Sequence, residues 1–221
     1  MYGYNREELY GFIQEKLEGY TVRNIQSRDI PGWLGQGISR TVLQFEEYPD
    51  IVFKIGVGEE DFGTDAFETE ETIYDKAMED GFAHYLMPIE RIGAIELDYC
   101  YDRWSEETDE YGEYYSIEEH EQVMIDIYIQ PRIDYTFAEK TGVFKGNSLK
   151  REKSIIKYIC EEEDIFALGY TELSAYFIRK YGVEEYLKVS HYLCDTLKLD
   201  DLHNNNWAIK DGDLVLIDYA M

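Results

Sequence analysis

The chain has 221 residues, and its 21 Lys and Arg stand against 47 Asp and Glu, a formal net charge of −26. Hydrophobic residues make up 44% and aromatics 15%, which supports a packed core and excludes wholesale disorder despite the charge. A chain this acidic repels nucleic acid and anionic membrane at long range; its charge suits approach to a basic protein surface, or serves solubility alone. The length suits one domain, 1–221, built as two lobes. Met1–Gln14 (MYGYNREELYGFIQ) has no apolar signal core, and no run approaches the roughly 20 apolar residues that span a bilayer. A cytoplasmic protein is expected. Cys100, Cys160 and Cys194 are odd in number and far apart, which argues against a disulfide framework or a Cys-based zinc site.

In chain order, Asn5–Gly19 carries Leu9, Phe12, Ile13 and Leu17 at helical spacing, and Gly19 suits a stop. Trp33–Phe45 is apolar and Gly-rich, Tyr48–Asp50 is a turn signal, and Ile51–Val57 is a β-rich run with one lysine inside it. Together they read as an antiparallel hairpin. Asp65–Asp80 predicts a helix with Phe67, Ile73, Tyr74, Ala77 and Met78 on its apolar side. Strands are expected at about Ile89–Tyr99 and Val123–Gln130. Between them, Glu96–Glu121 holds eleven acids against the single base Arg103, a composition that predicts a solvated or locally disordered insertion. After Pro131 the pattern turns helical, at Asn147–Glu162, Thr171–Tyr181 and Val183–Leu199. Trp207–Tyr219 closes as a strand pair around Lys210–Asp213 (KDGD), a strong Asp-Gly hairpin signal.

The most specific chemistry lies at that end. Asp201–Asn206 reads DLHNNN, and Asp218 follows Asn206 by twelve residues, across the expected hairpin. A loop entering a hairpin can bring Asp201, Asn206 and Asp218 together. Two carboxylates and an amide are hard oxygen donors suited to Mg²⁺ on a polyphosphate. Phosphoryl transfer also needs a carboxylate to orient the incoming hydroxyl and accept its proton.

This constellation resembles the catalytic centre of the protein-kinase-like phosphotransferases, whose pattern is H-R-D-L-x-x-x-N, a hairpin, and D-F-G. The DLHNNNW form is similar to that of small-molecule kinases and of short kinase-like proteins of bacteriophages. The resemblance implies an α+β, two-lobed fold, with a β-rich lobe over about 1–130 and a shortened helical lobe over about 131–221. It implies ATP and Mg²⁺ as cofactors, Asp201 as the catalytic proton acceptor, and Asn206 and Asp218 as metal ligands. Gly35–Val42 (GQGISRTV) matches the glycine-rich loop at Gly35, Gly37 and Val42, while Arg40 replaces the third glycine. Lys54, in Val52–Lys54 (VFK), resembles the strand lysine that contacts phosphates. An apolar strand would bury its charge, which then requires an anionic partner. Glu70 is the favoured partner and Glu71 the runner-up. Val123–Arg132 would resemble the strand and hinge that meet the adenine, with Gln130 among the nucleotide-binding residues.

Two departures qualify the resemblance. Leu199-Asp200 stands where His-Arg usually precedes the catalytic Asp, and Met221 follows Asp218 by three residues, short of any activation segment. The implied activity is transfer to a protein hydroxyl. The alternative is a catalytically silent kinase-like acidic protein that binds and inhibits a basic or nucleic-acid-binding protein. His203 reads either as a residue orienting Asp201 or Asn206 or as a loop histidine. His84 and His120 carry no signal.

Overall fold

A computed structural model describes residues 3–36, 40–56, 63–108, 111, 114–133, 154, 156–157, 168, 171–199 and 201–219. The protein is mixed α+β. Its larger sheet has five strands in the order β1-β2-β3-β5-β4, and β6 and β7 form a separate antiparallel pair. The chain divides into two compact units, one of 1–67 with 90–130 and one of 68–89 with 131–221.

The first unit opens with α1 (Arg6–Leu17), capped by the Asn5 side chain, which accepts from the Glu7 backbone N–H at 2.9 Å. Its buried stripe is Leu9, Ile13 and Leu17, and each such side chain contributes about 1.5–3 kcal/mol of burial. A short helix, α2 (Val22–Gln26), follows; Thr21 and Asn24 close a reciprocal capping box at its start. Strands β1 (Trp33–Gln36), β2 (Arg40–Leu43) and β3 (Ile51–Gly56) then form an antiparallel meander.

The two long strands β4 (Glu90–Thr108) and β5 (Tyr114–Pro131) pair antiparallel. Helices α1 and α2 share one apolar core with Leu43, Ile51, Phe53, Ile55, Ile95, Leu97, Ile125, Ile127 and Ile129. Gly93 is required there: a Cβ on it would fall 2.5 Å from the Tyr10 ring. Because side chains alternate along a strand, Val52 and Lys54 of β3 and Asp126, Tyr128 and Gln130 of β5 take the opposite face, where they too are buried.

The segment Asp98–Glu121 differs from expectation. Its described parts, residues 98–108 and 114–121, are not a loop but the outer part of the β4–β5 ribbon, with Asp98 paired to Gln122, Cys100 to His120 and Arg103 to Ile117. The physical reason is cross-strand neutralisation. Composition counts eleven acids, but the ribbon sets two of them, Glu119 and Asp98, against donors: Tyr101 and Arg103 both donate to Glu119, and His120 meets Asp98. Such pairs, with Tyr99 and Tyr101 at alternate positions of β4, favour a sheet.

The second unit begins inside α3 (Gly63–Asp80). Ile73 and Ala77 of this helix join a core built from α4 (Thr171–Tyr181), α5 (Val183–His191) and the terminal hairpin β6 (Trp207–Lys210) and β7 (Asp213–Leu216). The boundary therefore differs from a split near residue 130, because the apolar stripe after Glu68 packs with the helices. α5 runs into a π-helical turn at Tyr192–Thr196, so its α-helical part ends earlier than the expected Leu199. Behind α4, the Tyr186 hydroxyl accepts from the Leu168 N–H and meets the Ser174 hydroxyl, which donates to the Leu168 carbonyl. Most of the expected helix Asn147–Glu162 lies outside the described residues. No helix among the described residues is long and apolar enough to cross a membrane.

Candidate functional site

The hairpin β6–β7 turns at Asp211 and Gly212, with φ of 51° and 91°. Both central residues are left-handed, which is the turn an Asp-Gly pair favours in a tight hairpin. The hairpin is fixed from behind. Trp207, Ala208, Leu214 and Leu216 are fully buried, and the Trp207 indole donates to the Leu202 carbonyl at 3.3 Å. The Met87 N–H donates to the Leu216 carbonyl at 2.8 Å, and the Tyr219 hydroxyl donates to the Met87 carbonyl at 2.6 Å. At the turn, Lys180 and the Tyr181 hydroxyl donate to Asp213. These two bonds, the lysine first, hold the Asp213 carboxyl below the usual carboxylate range, although slight burial opposes them.

That frame positions the DLHNNN loop. One 3₁₀ turn, Asn204–Asn206, leads directly into β6. The Asn206 amide donates from Nδ2 to the Asp201 carbonyl at 2.8 Å, which leaves its Oδ1 as the ligand-type atom. The Ile217 N–H donates to the Asn206 carbonyl at 2.7 Å. One residue beyond Asp218, the Tyr219 N–H donates to Glu70 Oε1 at 3.3 Å. The backbone on both sides of Asp218 is thus anchored, by Asn206 on one side and by Glu70 on the other.

Glu70, Asp201, Asn206 and Asp218 all belong to the second unit. Glu70 is fully buried on α3, whereas Glu71 is half-buried. Asp218 is half-buried and Asn206 buried. The Asp201 side chain is mostly exposed, with His203 Nε2 3.5 Å from its Oδ1. His203 therefore stands beside Asp201 rather than Asn206; its Nδ1 has no hydrogen-bond partner among the described residues.

Gly35, Lys54 and Gln130 belong to the first unit. Gly35 pairs with Val42, and Val42 pairs with Lys54, so the three form one row across three strands and share a face. Lys54 is 5% exposed, an unusual state for an ammonium. Gln130 is buried near the end of β5. Gly37 lies outside the described residues.

Two features of the first unit escape sequence reading. One is an open groove of about 630 Å³ between the end of α1 and β4, bordered by Glu15, Glu18, Glu96 and Asp98. The other is the set Cys100, Glu118 and His120, whose ligand-type atoms all lie within 4.8 Å of one another. Its only sequence signal is symmetry about a turn near Tyr111, which becomes visible once the ribbon is recognised.

No protein-family model matches the chain, and no curated protein matches it.

Proposed function

We propose that the protein is an ATP- and Mg²⁺-dependent phosphotransferase of the protein-kinase-like kind, acting on a protein hydroxyl. The observation that carries this reading is the anchoring of Asp218 between Asn206 and Glu70. A turn-forming Asp or Asn needs no such order. A pair of metal ligands does, because Mg²⁺ demands near-ideal octahedral oxygen geometry and tolerates little misplacement.

The donor set fits the ion: Asn206 Oδ1 and the Asp218 carboxylate are hard oxygen ligands on one rigid hairpin. When bound, Mg²⁺ would neutralise charge on the phosphates. Asp201, exposed at the loop, accepts the proton of the incoming hydroxyl and orients it. Lys54 supplies the cation for the α/β-phosphates, and the Gly35 backbone lets that strand approach them closely. By the same resemblance, Gln130 would meet the base.

The test is ATP binding with and without Mg²⁺, followed by γ-phosphate transfer to the protein itself and to a lysate. Asp201→Asn is expected to abolish transfer and leave ATP affinity within a few-fold. Asn206 holds the carbonyl of Asp201, not its side chain, so the metal loop survives the substitution. Lys54→Ala is expected to weaken or misplace ATP. Failure of the wild type to bind ATP at millimolar Mg²⁺ sinks the reading.

One observation favours a second reading, the acidic binder of a basic protein. The acidic segment is a paired ribbon that displays carboxylates at fixed spacing. In that case neutralising its glutamates removes the biological effect while Asp201→Ala does not.

A further inference from the structure

The outer ribbon has two faces. In an antiparallel pair, residues opposite one another share a face, and so do their neighbours two positions away. Asp98, Cys100, Glu118, His120 and Gln122 therefore lie together, while Tyr99, Tyr101, Arg103 and Glu119 lie on the reverse. Cys100 faces His120 directly, and Glu118 is the diagonal neighbour. We propose that Cys100, Glu118 and His120 bind a single Zn²⁺ ion, with a fourth coordination position left open.

The geometry has three supports. His120 Nε2 already stands 3.4 Å from Glu118 Oε1. Tetrahedral zinc with ordinary Zn–N, Zn–O and Zn–S bonds places its ligand atoms about 3.5 Å apart, so a set within 4.8 Å must contract by up to about 1.3 Å. Glu118 and His120 are exposed, so no packed core opposes that contraction.

The second support is the orientation of the imidazole. His120 Nδ1 meets Asp98 Oδ2 at 2.9 Å; with a ring proton donated to that carboxylate, Nε2, which faces Glu118, is the atom left to ligate a metal. A carboxylate on the far nitrogen is the usual arrangement for a zinc-ligating histidine, since it fixes the tautomer and raises the basicity of the ring.

The third support is charge. A thiolate, a carboxylate and a neutral imidazole together balance the two charges of the ion. On binding, an S–Zn bond forms and the thiol proton leaves to solvent. Arg23 now offers the local positive charge, with Nη1 3.7 Å from Glu118 Oε2. It is largely exposed and swings away when the ion replaces it.

The role follows from position. Two strands alone are marginal in water, and this part of the ribbon lies beyond the apolar residues that anchor its base. A metal bridge between facing strands would staple it there, and the open position would accept water or a ligand atom from a partner.

The test uses the full chain titrated with Zn²⁺ by calorimetry, and with Co²⁺ as an optical probe of thiolate ligation. One equivalent is expected to bind at micromolar concentration or tighter, with a thiolate-to-cobalt charge-transfer band. Cys100→Ser removes the band and weakens Zn²⁺ at least about tenfold, as does His120→Ala; loss of Asp98 as Asp98→Asn costs about tenfold or more. Glu118→Gln, which preserves size and hydrogen bonding, weakens binding without changing the circular dichroism. Cys160→Ser, Cys194→Ser and His191→Ala change neither reading. Binding only at millimolar zinc, a band that persists in Cys100→Ser, or affinity insensitive to His120→Ala overturns the proposal.

Discussion

The molecule contains two β-hairpins held by opposite means. The short one, β6–β7, is fastened from below: Trp207, Ala208, Leu214 and Leu216 are fully buried, and its tip is a tight Asp-Gly turn. The long one, β4–β5, is fastened in this way near its base, at Ile95, Leu97, Ile125 and Ile127. Farther out it relies on side chains reaching across: Tyr101 and Arg103 to Glu119 at 3.1 and 3.3 Å, Asp98 to His120 at 2.9 Å, and the Tyr99 ring stacked on Tyr101 with centroids 5.5 Å apart. Burial fixes a backbone firmly, because close-packed interiors resist displacement. Exposed polar pairs are individually weak and respond to salt and pH. The difference teaches where each kind of chemistry can sit. As proposed metal ligands, Asn206 and Asp218 would need fixed placement, and they flank the buried hairpin, whereas a surface that adapts to an ion or a partner suits the polar one.

The largest expected effect breaks the comparison at its buried end. Trp207→Ala removes a fully buried aromatic and its indole bond to Leu202, and should cost about 3–5 kcal/mol in denaturant unfolding. A cost below about 1 kcal/mol would show that the short hairpin is not held by burial.

A smaller effect sharpens the comparison at the turn. The folded-state pKa of Asp213 is depressed, first by Lys180 and then by Tyr181. Its contribution is therefore full above the unfolded carboxylate value of about 4 and is lost as pH falls through the lower folded value. Asp213 is largely exposed, so solvent screening limits that contribution to below about 1 kcal/mol. Asp213→Asn should lower stability at neutral pH and bring the two proteins together in strong acid. A difference that grows on acidification would contradict the assignment.

The smallest effect lies in the outer ribbon. Glu119→Gln weakens the links to Tyr101 and Arg103 and should cost about 0.2–1 kcal/mol, less in high salt, with hydrogen exchange rising first at the ribbon's outer amides. A loss comparable to that in Trp207→Ala would mean that the ribbon, too, is part of a core.

Sequence reading reaches furthest where a local rule governs. The stripe Leu9, Ile13, Leu17 predicts α1, and KDGD predicts the terminal turn, because helix period and left-handed turn residues act within a few positions. Helix α2, only five residues long, offers too little periodicity to detect. The ribbon is missed because composition counts charges without pairing them, and only register sets Glu119 against Tyr101 and Arg103. The same limit hides Cys100 and His120: far apart in sequence, they become neighbours through a pairing no short motif records. Among the candidate residues, the spacing of Asp201, Asn206 and Asp218 is legible. The bond from Tyr219 to Glu70 is not, since it spans 149 positions.

That long span has a consequence for the order in which the chain can fold. The core of the second unit takes Ile73, Ala77, Tyr85 and Leu86 from before the ribbon and Trp207, Leu214, Leu216 and Tyr219 from far beyond it. Residues 90–130 of the first unit lie between them in sequence. During synthesis, which proceeds from the N-terminus, the first unit has all its strands by residue 130, whereas the segment 68–89 must wait for residues 207–219. Over that interval its apolar stripe lacks its native cover, the condition under which nascent chains bind chaperones or one another. Contacts so distant in sequence also form slowly. Refolding should therefore proceed in two phases, with the tyrosine-rich sheet appearing before the environment of Trp207 becomes native.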